Sequence, residues 1–402
     1  MNTILVVNCG SSSLKFALYA LEAGDALRKL ASGLVEGIGT EKGLFKAKGE
    51  LGASETALEK PTHLSGFGAL KDYLEGAGVR GERVLAVGHR VVQGGAVFSE
   101  SVVLDDAKID QVEELAAMAP LHNRAHALGM REATKAWPGA VQVAVFDTAF
   151  HATMPPKAYL FAMPYELYEK LALRKYGFHG TSHRFVSARA AEALGRPLGE
   201  IRMITAHLGN GCSLAAIKDG KVVDTTMGLT PLDGLMMGTR SGATDPSVFD
   251  YLERKLGWSA SRTVQVMNKE SGLLGISGLS QDMRTLVAAR AEGHEGAKLA
   301  IEMFVYRLAK LISSFTIPLG GLDALVFTGG IGENSYVVRG EAMDLLAPLG
   351  LELDAEANAK AVGGAEGKIS VGDDPVALVV PTDEELLIAK DALALARGAR
   401  KE

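Results

Sequence analysis

The sequence NCGSSSLK at residues 8–15 follows the apolar run 3–7 and leads into a second apolar segment, 13–18. A similar sequence, HLGNGCSL at residues 207–214, follows the apolar run 201–206. In both stretches, glycine and serine leave backbone N–H groups and hydroxyls accessible to an anion. The repeat predicts a duplicated domain with one phosphate-binding turn in each half, which favours a protein that handles ATP.

The composition sets limits on the class of protein. With 402 residues, the chain exceeds the usual size of one hydrophobic core, so we expect two domains. Its net charge of −6 argues against a general nucleic-acid binder, although local arginines can still bind anions. Cys9 and Cys212 are interpreted as buried thiols of a reduced, cytoplasmic protein. No run approaches the roughly 18 apolar residues of a membrane span, and we expect neither an export signal nor a membrane partner.

Apolar runs alternate with helical patterns in both halves, which predicts an α/β architecture with helix-covered sheets. We place the first domain at residues 1–150 together with a closing helix at 386–402, and the second at 151–385. Residues 154–168 are interpreted as a bridge between the halves. The predicted strands lie at residues 84–87, 141–146, 324–327 and 376–380. The predicted helices lie at 105–119, capped by Asp105 or Asp106, at 123–137, at 297–315, and up to Leu194, capped by Thr181 or Ser182.

A third glycine-rich turn, TGGIGEN at residues 328–334, also follows a predicted strand. Ligands of open α/β sheets collect beyond the carboxyl ends of the strands. The first two turns suit phosphates, whereas the third has room for a base or a ribose, with Asn334 opening a helix. Residues 363–369 imitate a Walker motif with the wrong spacing, and we interpret them as a surface turn.

Charged residues lie beside these turns and at strand ends. Arg90 and Arg240 occupy glycine-rich segments, and a planar guanidinium can bind carboxylate or phosphate through two parallel hydrogen bonds. For each arginine, the alternative is a solvated surface side chain. Asp147 and Glu384 follow apolar strands, where carboxylates can hold Mg²⁺ through water or align a nucleophile. For each acid, the alternative is a helix cap or a turn.

Taken together, these motifs resemble those of the acetate kinases, which belong to the actin, sugar-kinase and heat-shock-chaperone ATPase superfold. The resemblance runs almost from end to end of the chain, through residues 8–15, 89–95, 146–151, 176–183, 207–213, 237–242, 329–334 and 382–385. It implies two duplicated ribonuclease-H-like, or actin-like ATPase, domains with a nucleotide cleft between them. Four positions depart from the usual family pattern: Gln93, Arg124, Ala243 and Asp383.

The resemblance also implies roles for individual residues. The catalytic set would be Asp147, His179, Arg240 and Arg90. Asn8 and Glu384 would fix Mg²⁺, for which Mn²⁺ could substitute. Arg90 would bind the carboxylate of acetate. The acetate methyl would enter a small apolar pocket formed by Val92, Leu121, Phe178 and Pro231. The ATP-binding residues would be Lys15, His207, Leu208, Gly209, Asn210, Gly211, Asp282, Met283, Arg284, Gly330, Ile331, Gly332, Glu333 and Asn334.

The activity implied by the resemblance is reversible, direct in-line transfer of a phosphoryl group from ATP to acetate, giving acetyl phosphate and ADP. The family is usually homodimeric through its second domain. Because acetate is ionised near pH 7, we expect Asp147 to orient Arg90 or the carboxylate rather than to act mainly as a base. The alternatives are a propionate or butyrate kinase of the same build and a nucleotide-gated conformational ATPase. The latter has no reason to carry Arg90, His179 and Arg240 around an apolar slot.

Overall fold

The computed structural model describes residues 1–119 and 122–399. The chain divides into two compact units, Met1–Ala149 with Asp383–Glu402, and Phe150–Thr382. Each unit carries one β-sheet with helices, so the predicted α/β class is confirmed. Residues 383–385 belong to the first unit, not to the second as predicted, because Glu384 begins the C-terminal helix, which packs on the first sheet.

The sheet of the first unit has the strand order β5-β4-β3-β2-β1-β6-β8-β7. Its strands are β1 (Thr3–Cys9), β2 (Ser13–Leu21), β3 (Leu27–Glu36), β4 (Lys42–Gly49), β5 (Ser54–Glu59), β6 (Val84–Val91), β7 (Val102–Val103) and β8 (Val141–Phe146). β1 and β2 form the predicted antiparallel hairpin, whereas β6 runs parallel to β1 and β8 parallel to β6. The carboxyl ends of β1, β6 and β8 therefore meet at one edge of the sheet.

Helices cover both faces of this sheet. They are α1 (His63–Gly76), α2 (Asp106–Glu114), α3 (Asn123–Ala136) and the C-terminal helix (Glu384–Ala399). Ile4 and Val6 of β1 face the C-terminal helix, whereas Leu5 and Val7 face the opposite core. Burial on both faces explains why β1 is a continuous apolar run. Asp105 caps α2 as predicted, but α2 ends at Glu114 and a 3-10 turn follows, so the predicted helix 105–119 was too long.

The sheet of the second unit repeats this arrangement, with the order β11-β10-β9-β12-β14-β13. Its strands are β9 (Met203–Leu208), β10 (Cys212–Lys218), β11 (Lys221–Thr225), β12 (Ala324–Thr328), β13 (Gly367–Lys368) and β14 (Val376–Val379). An antiparallel hairpin, β9 and β10, again adjoins parallel strands, β12 and β14. This shared order is the duplication that the two glycine turns predict.

The helices of the second unit differ from the sequence-based predictions at two positions. They are α4 (Pro156–Tyr159), α5 (Tyr165–Leu171), α6 (Gly180–Leu194), α7 (Val248–Leu256), α8 (Ala260–Lys269), α9 (Gly272–Ser277), α10 (Met283–Ala291), α11 (Glu295–Leu319), α12 (Gly329–Asn334), α13 (Tyr336–Leu346) and α14 (Ala355–Lys360). His179, not Thr181 or Ser182, is the N-cap of α6. Asn334 ends α12 rather than opening a helix. The predicted bridge, residues 154–168, lies within this unit.

The long apolar helix predicted at residues 297–315 is α11, which runs from Glu295 to Leu319. One face is buried and includes Ile301, Phe304 and Ile312, whereas Tyr306 is 61% exposed. Most of the apolar character of α11 therefore belongs to the core. Across residues 1–119 and 122–399, no helix combines the length and apolarity needed to cross a bilayer.

Candidate active site

The carboxyl edge of the first sheet carries Asn8 near the end of β1, Arg90 in β6 and Asp147 directly after β8. Nε and Nη2 of Arg90 donate to the two carboxylate oxygens of Asp147, at 3.0 and 2.9 Å. Asp147 is only 2% exposed. The strand register brings these two residues together, and the bidentate geometry fixes the plane of the guanidinium.

A second carboxylate lies beside the same guanidinium. Oε2 of Glu384 is 3.5 Å from Nη2 of Arg90. Burial alone would lower the pKa of Arg90, but the carboxylates of Asp147 and Glu384 together raise it above its usual range. Arg90 is therefore held both in its charged form and in one orientation.

The segment that follows Arg90 is anchored by helix α3. The backbone N–H of Val92 donates to Nε2 of His126 at 3.3 Å, and Nδ2 of Asn123 donates to the carbonyl of Gln93 at 2.8 Å. Sequence reasoning missed both anchors, because nothing in a helical pattern tells which buried polar side chain will meet a strand end. Leu121, assigned to the acyl pocket, lies outside the described residues.

In the second unit, His179 and Arg240 converge on Gly211. A Cβ atom built on Gly211 would lie 3.3 Å from Nη1 of Arg240 and 3.3 Å from Nε2 of His179. His179 has a left-handed backbone with a φ of 57°, and its Nδ1 is 2.8 Å from Oγ of Ser213. Its ring stacks on His207 with a centroid separation of 4.2 Å. The glycine leaves space at the point where two cationic or donor groups meet.

The electrostatics of Arg240 differ from those of Arg90. Nη1 of Arg240 donates to the carbonyl of Pro231 at 3.2 Å. Within the part of the chain that the structure describes, no carboxylate forms an ion pair with Arg240, and burial lowers its pKa. A mostly buried cation without a counter-ion is costly, so this position favours binding of an anion.

Gly238 packs against the candidate phosphate residue Asn210. Its N–H donates to the carbonyl of Asn210 at 3.1 Å, and an added Cβ would lie only 2.2 Å from Oδ1 of Asn210. The Gly238→Ala substitution should therefore displace the carboxamide and lower kcat/KM by about 10-fold, the loss of one good hydrogen bond to a charged group. Steady-state kinetics and thermal unfolding would measure this. Gly340→Ala is the control, since its Cβ meets only ordinary contacts. Equal activity of both variants would contradict the assignment.

A cavity of about 650 Å³ lies beside Asn210 in the second unit. This volume is within the usual range for a small-molecule site. The ATP-binding candidates that line it are Gly209, Asn210, Asp282, Met283, Arg284, Gly330, Ile331 and Asn334. The lining residues that sequence reasoning missed are Gln281, Val287, Ala288, Ser335, Tyr336 and Val337. Val287 could have been predicted from the sequence if α10 had been recognised, because it lies one helical turn after Met283 on the same face.

Other ATP-binding candidates lie elsewhere. Lys15 is an exposed residue of β2 in the first unit, where it lines a separate groove of about 610 Å³. Leu208 and Gly332 are buried. His207 and Gly211 are next to His179 rather than in the cavity wall.

Two acids near the cavity have internal partners. Oε1 of Glu333 accepts hydrogen bonds from the N–H groups of Gly329 and Thr382, at 2.9 and 3.1 Å, and so joins the ends of β12 and β14. Asp282 caps α10, and its pairing with Arg284 holds its pKa down at about 2. These carboxylates shape the walls of the site.

The buried histidines predict a pH dependence of stability. Burial lowers the pKa of His89 and His151 to about 4 and that of His126 to about 3. The unfolded chain binds these protons near pH 6.5, whereas the folded chain does not. The free energy of unfolding is therefore highest above about pH 6.5. Each of these histidines lowers it by about 1.4 kcal/mol for every pH unit between about pH 6.5 and pH 4. Thermal unfolding between about pH 8 and pH 5 would measure this. His151→Gln should reduce the slope, and a flat profile would contradict the prediction.

The two sheets of matching order, the glycine turns at their strand ends and the convergence of Arg240 and His179 on Gly211 define a nucleotide-dependent phosphotransferase of the actin-like ATPase fold. The model of the Acetokinase family matches residues 3–390, and the chain belongs to this family. Membership makes it a phosphotransferase with a carboxyl group as acceptor.

Individual relatives agree with this assignment. An acetate kinase of Chromobacterium violaceum is 50% identical over 395 residues, covering 98% of both chains. One of Shewanella loihica is 51% identical over 399 residues, with the same coverage of each chain, 98%. A crystal structure of a propionate kinase from Francisella tularensis superposes with a TM-score of 0.92 at 46% identity, covering 98% of this chain and 100% of that one. The Porphyromonas gingivalis acetate kinase structure has a TM-score of 0.92 at 43% identity, with coverage of 98% and 100%.

Proposed function

We propose that this protein catalyses reversible, Mg²⁺-dependent transfer of the γ-phosphoryl group of ATP to acetate, giving acetyl phosphate and ADP. The observation that carries the proposal is the convergence of Arg240 and His179 on Gly211, with no carboxylate paired to Arg240 in the described residues. A transferring phosphoryl group is an anion that such a site would bind.

In the proposed step, an oxygen of the acetate carboxylate attacks the γ-phosphorus in line with the departing ADP oxygen. One P–O bond forms and one breaks, and no proton is transferred. Arg90 binds the carboxylate, Arg240 neutralises charge on the equatorial oxygens, where phosphoryl transfer needs it, and His179 donates a hydrogen bond to one of them. Asn210 holds the phosphate. Asp147 orients Arg90 through its two hydrogen bonds, because ionised acetate gives a general base little to remove.

The residues assigned to the metal fit Mg²⁺. Asn8 and Glu384 supply oxygen donors, and Mg²⁺ is usually held by one or two carboxylates, substrate phosphates and several waters. When bound, Mg²⁺ would neutralise charge on the nucleotide phosphates, and the same donors would accept Mn²⁺. No cluster of three or more His, Cys, Asp or Glu side chains suited to a metal is present in residues 1–119 and 122–399.

ATP and ADP bind, in this proposal, in the cavity beside Asn210, and use of ATP assigns the reaction to the cytoplasm.

We propose a homodimer formed through the second unit. The support for it is a set of exposed apolar side chains on helices of that unit, including Tyr251 and Leu256 of α7, Val264 of α8 and Tyr306 of α11. Light scattering coupled to gel filtration tests the dimer.

The acyl preference provides a test of the pocket assignment. We assign Val92, Leu121, Phe178 and Pro231 to the acetate methyl. One methylene in an apolar pocket discriminates by about 1–3 kcal/mol, so propionate should react more weakly than acetate. Val92→Ala should raise the ratio of kcat/KM for propionate to that for acetate by about 10-fold, measured with both acids at saturating ATP. Val222→Ala, in the core of the same protein, is the control, and an unchanged ratio in Val92→Ala would refute the assignment.

The reverse reaction tests the proposal against a conformational ATPase. Incubation with acetyl phosphate and MgADP should form ATP, detected by luciferase. A conformational ATPase would form none.

A further inference from the structure

A buried hydroxyl is shared by two histidines in the second unit. Oγ of Ser213 lies 2.8 Å from Nδ1 of His179 and 2.8 Å from Nε2 of His183. Ser213 is fully buried. A hydroxyl carries one hydrogen, so Ser213 can donate to only one of these rings and must accept from the other.

His183 is in turn bonded at its other ring nitrogen. Its Nδ1 lies 2.7 Å from Oγ1 of Thr205, and both residues are fully buried. Burial lowers the pKa of His183 well below the usual value, and the neighbouring rings of His151 and His207 act in the same direction. His183 is therefore neutral and has one ring N–H to donate.

The surroundings of Thr205 decide where that proton lies. Among residues 1–119 and 122–399, the contact with His183 is the one hydrogen bond made by its hydroxyl. If Nδ1 of His183 carried the proton, the Thr205 O–H would be buried without an acceptor, at a cost of about 1–3 kcal/mol. With the Thr205 hydroxyl donating instead, Nε2 of His183 donates to Ser213, and Ser213 donates to Nδ1 of His179.

We propose that Thr205, His183 and Ser213 form a positioning relay that keeps the ring proton on Nε2 whenever His179 is in its neutral form. Nε2 is the atom that faces Gly211 and Arg240. The inference rests on the proposed function, in which His179 donates a hydrogen bond to the phosphoryl group. The relay supplies that donor without requiring an imidazolium, and none of its three members touches the substrate.

The tautomer can be read directly. The chain has nine histidines, so selective ¹⁵N-histidine labelling gives few enough ring signals to resolve in long-range ¹H–¹⁵N spectra at about pH 8. The His179 signals are assigned as those that disappear in His179→Asn. In the unsubstituted protein, His179 should show the Nε2–H tautomer. In Ser213→Ala, both tautomers should appear, whereas Ser213→Thr, which keeps the hydroxyl, should restore the first.

Kinetics provide a second readout. Ser213→Ala should lower kcat about 10- to 100-fold with nearly unchanged KM for ATP and acetate, well below the roughly 10⁴-fold effect of a fully wrong histidine tautomer in a serine protease. Thr205→Val should act in the same direction. Thr225→Val removes another buried strand hydroxyl of the unit, bonded to the Leu214 carbonyl, and should leave kcat unchanged.

An Nδ1–H tautomer of His179 in the unsubstituted protein, or an unaltered tautomer in Ser213→Ala, would overturn the relay. If Ser213→Ala fails to fold, Thr205→Val and the spectrum of the unsubstituted protein still decide. A protein that shows the expected tautomer but makes no acetyl phosphate would overturn the proposed function and leave the relay intact.

Discussion

Replacing Arg240 with alanine is expected to lower kcat by about 10³-fold or more, the effect of removing an arginine that stabilises a transferring phosphoryl group. The same change should leave the melting temperature unchanged or raise it. Arg240 is largely buried and has no carboxylate partner within the described residues, so the folded protein without substrate loses an unfavourable charge when it is removed. Steady-state kinetics and thermal unfolding on one preparation measure both effects.

Arg262→Ala is the matched control for Arg240. Arg262 belongs to the same unit and pairs with Glu270 at the surface, so its loss should change neither kcat nor stability much. A large fall in melting temperature of Arg240→Ala would mean that Arg240 is a structural residue, and the anion-site interpretation would then be wrong.

Replacing Arg90 with alanine should lower activity to a similar extent but should also destabilise the protein. Asp147, which is 2% exposed, would keep a buried carboxylate without its two hydrogen bonds from Arg90. Breaking a buried ion pair on one side typically costs about 3–5 kcal/mol. The free energy of unfolding from urea titration should fall by about this amount, with kcat lower by about 10³-fold.

Two further variants separate the roles of Arg90 and Asp147. Asp147→Asn keeps an oxygen that accepts from Arg90, so it should retain more activity than Arg90→Ala. Arg90→Met combined with Asp147→Leu should regain stability but not activity, because the buried carboxylate that loses its two hydrogen bonds from Arg90 is removed as well. Equal loss of activity in Asp147→Asn and Arg90→Ala, with unchanged substrate binding, would indicate that Asp147 acts as a base.

The features that could be predicted from the sequence are those encoded locally. A strand that runs into glycine and serine is a local pattern, and the turns after β1 and β9 follow it. Helix α1 was missed because Gly66, Gly68 and Gly76 weaken its helical pattern, although Thr62 and Ser65 form a capping box at its start.

The remaining features depend on contacts between distant segments. His126 meets Val92 across 34 positions, and Ser213 meets His179 across 34 positions and His183 across 30. No periodicity encodes such pairs. The N-cap of α6 was mispredicted for a related reason, since His179 adopts a left-handed backbone while its ring stacks on His207 and bonds Ser213.

The proposed activity is phosphoryl transfer to the carboxylate of acetate. It is tested most directly by incubating the protein with MgATP, acetate and hydroxylamine and measuring acetyl hydroxamate, with propionate and butyrate in parallel. Acetate-dependent hydroxamate formation is expected, weaker with propionate and weakest with butyrate. Hydrolysis of ATP without any hydroxamate would contradict it and would favour a nucleotide-driven conformational ATPase.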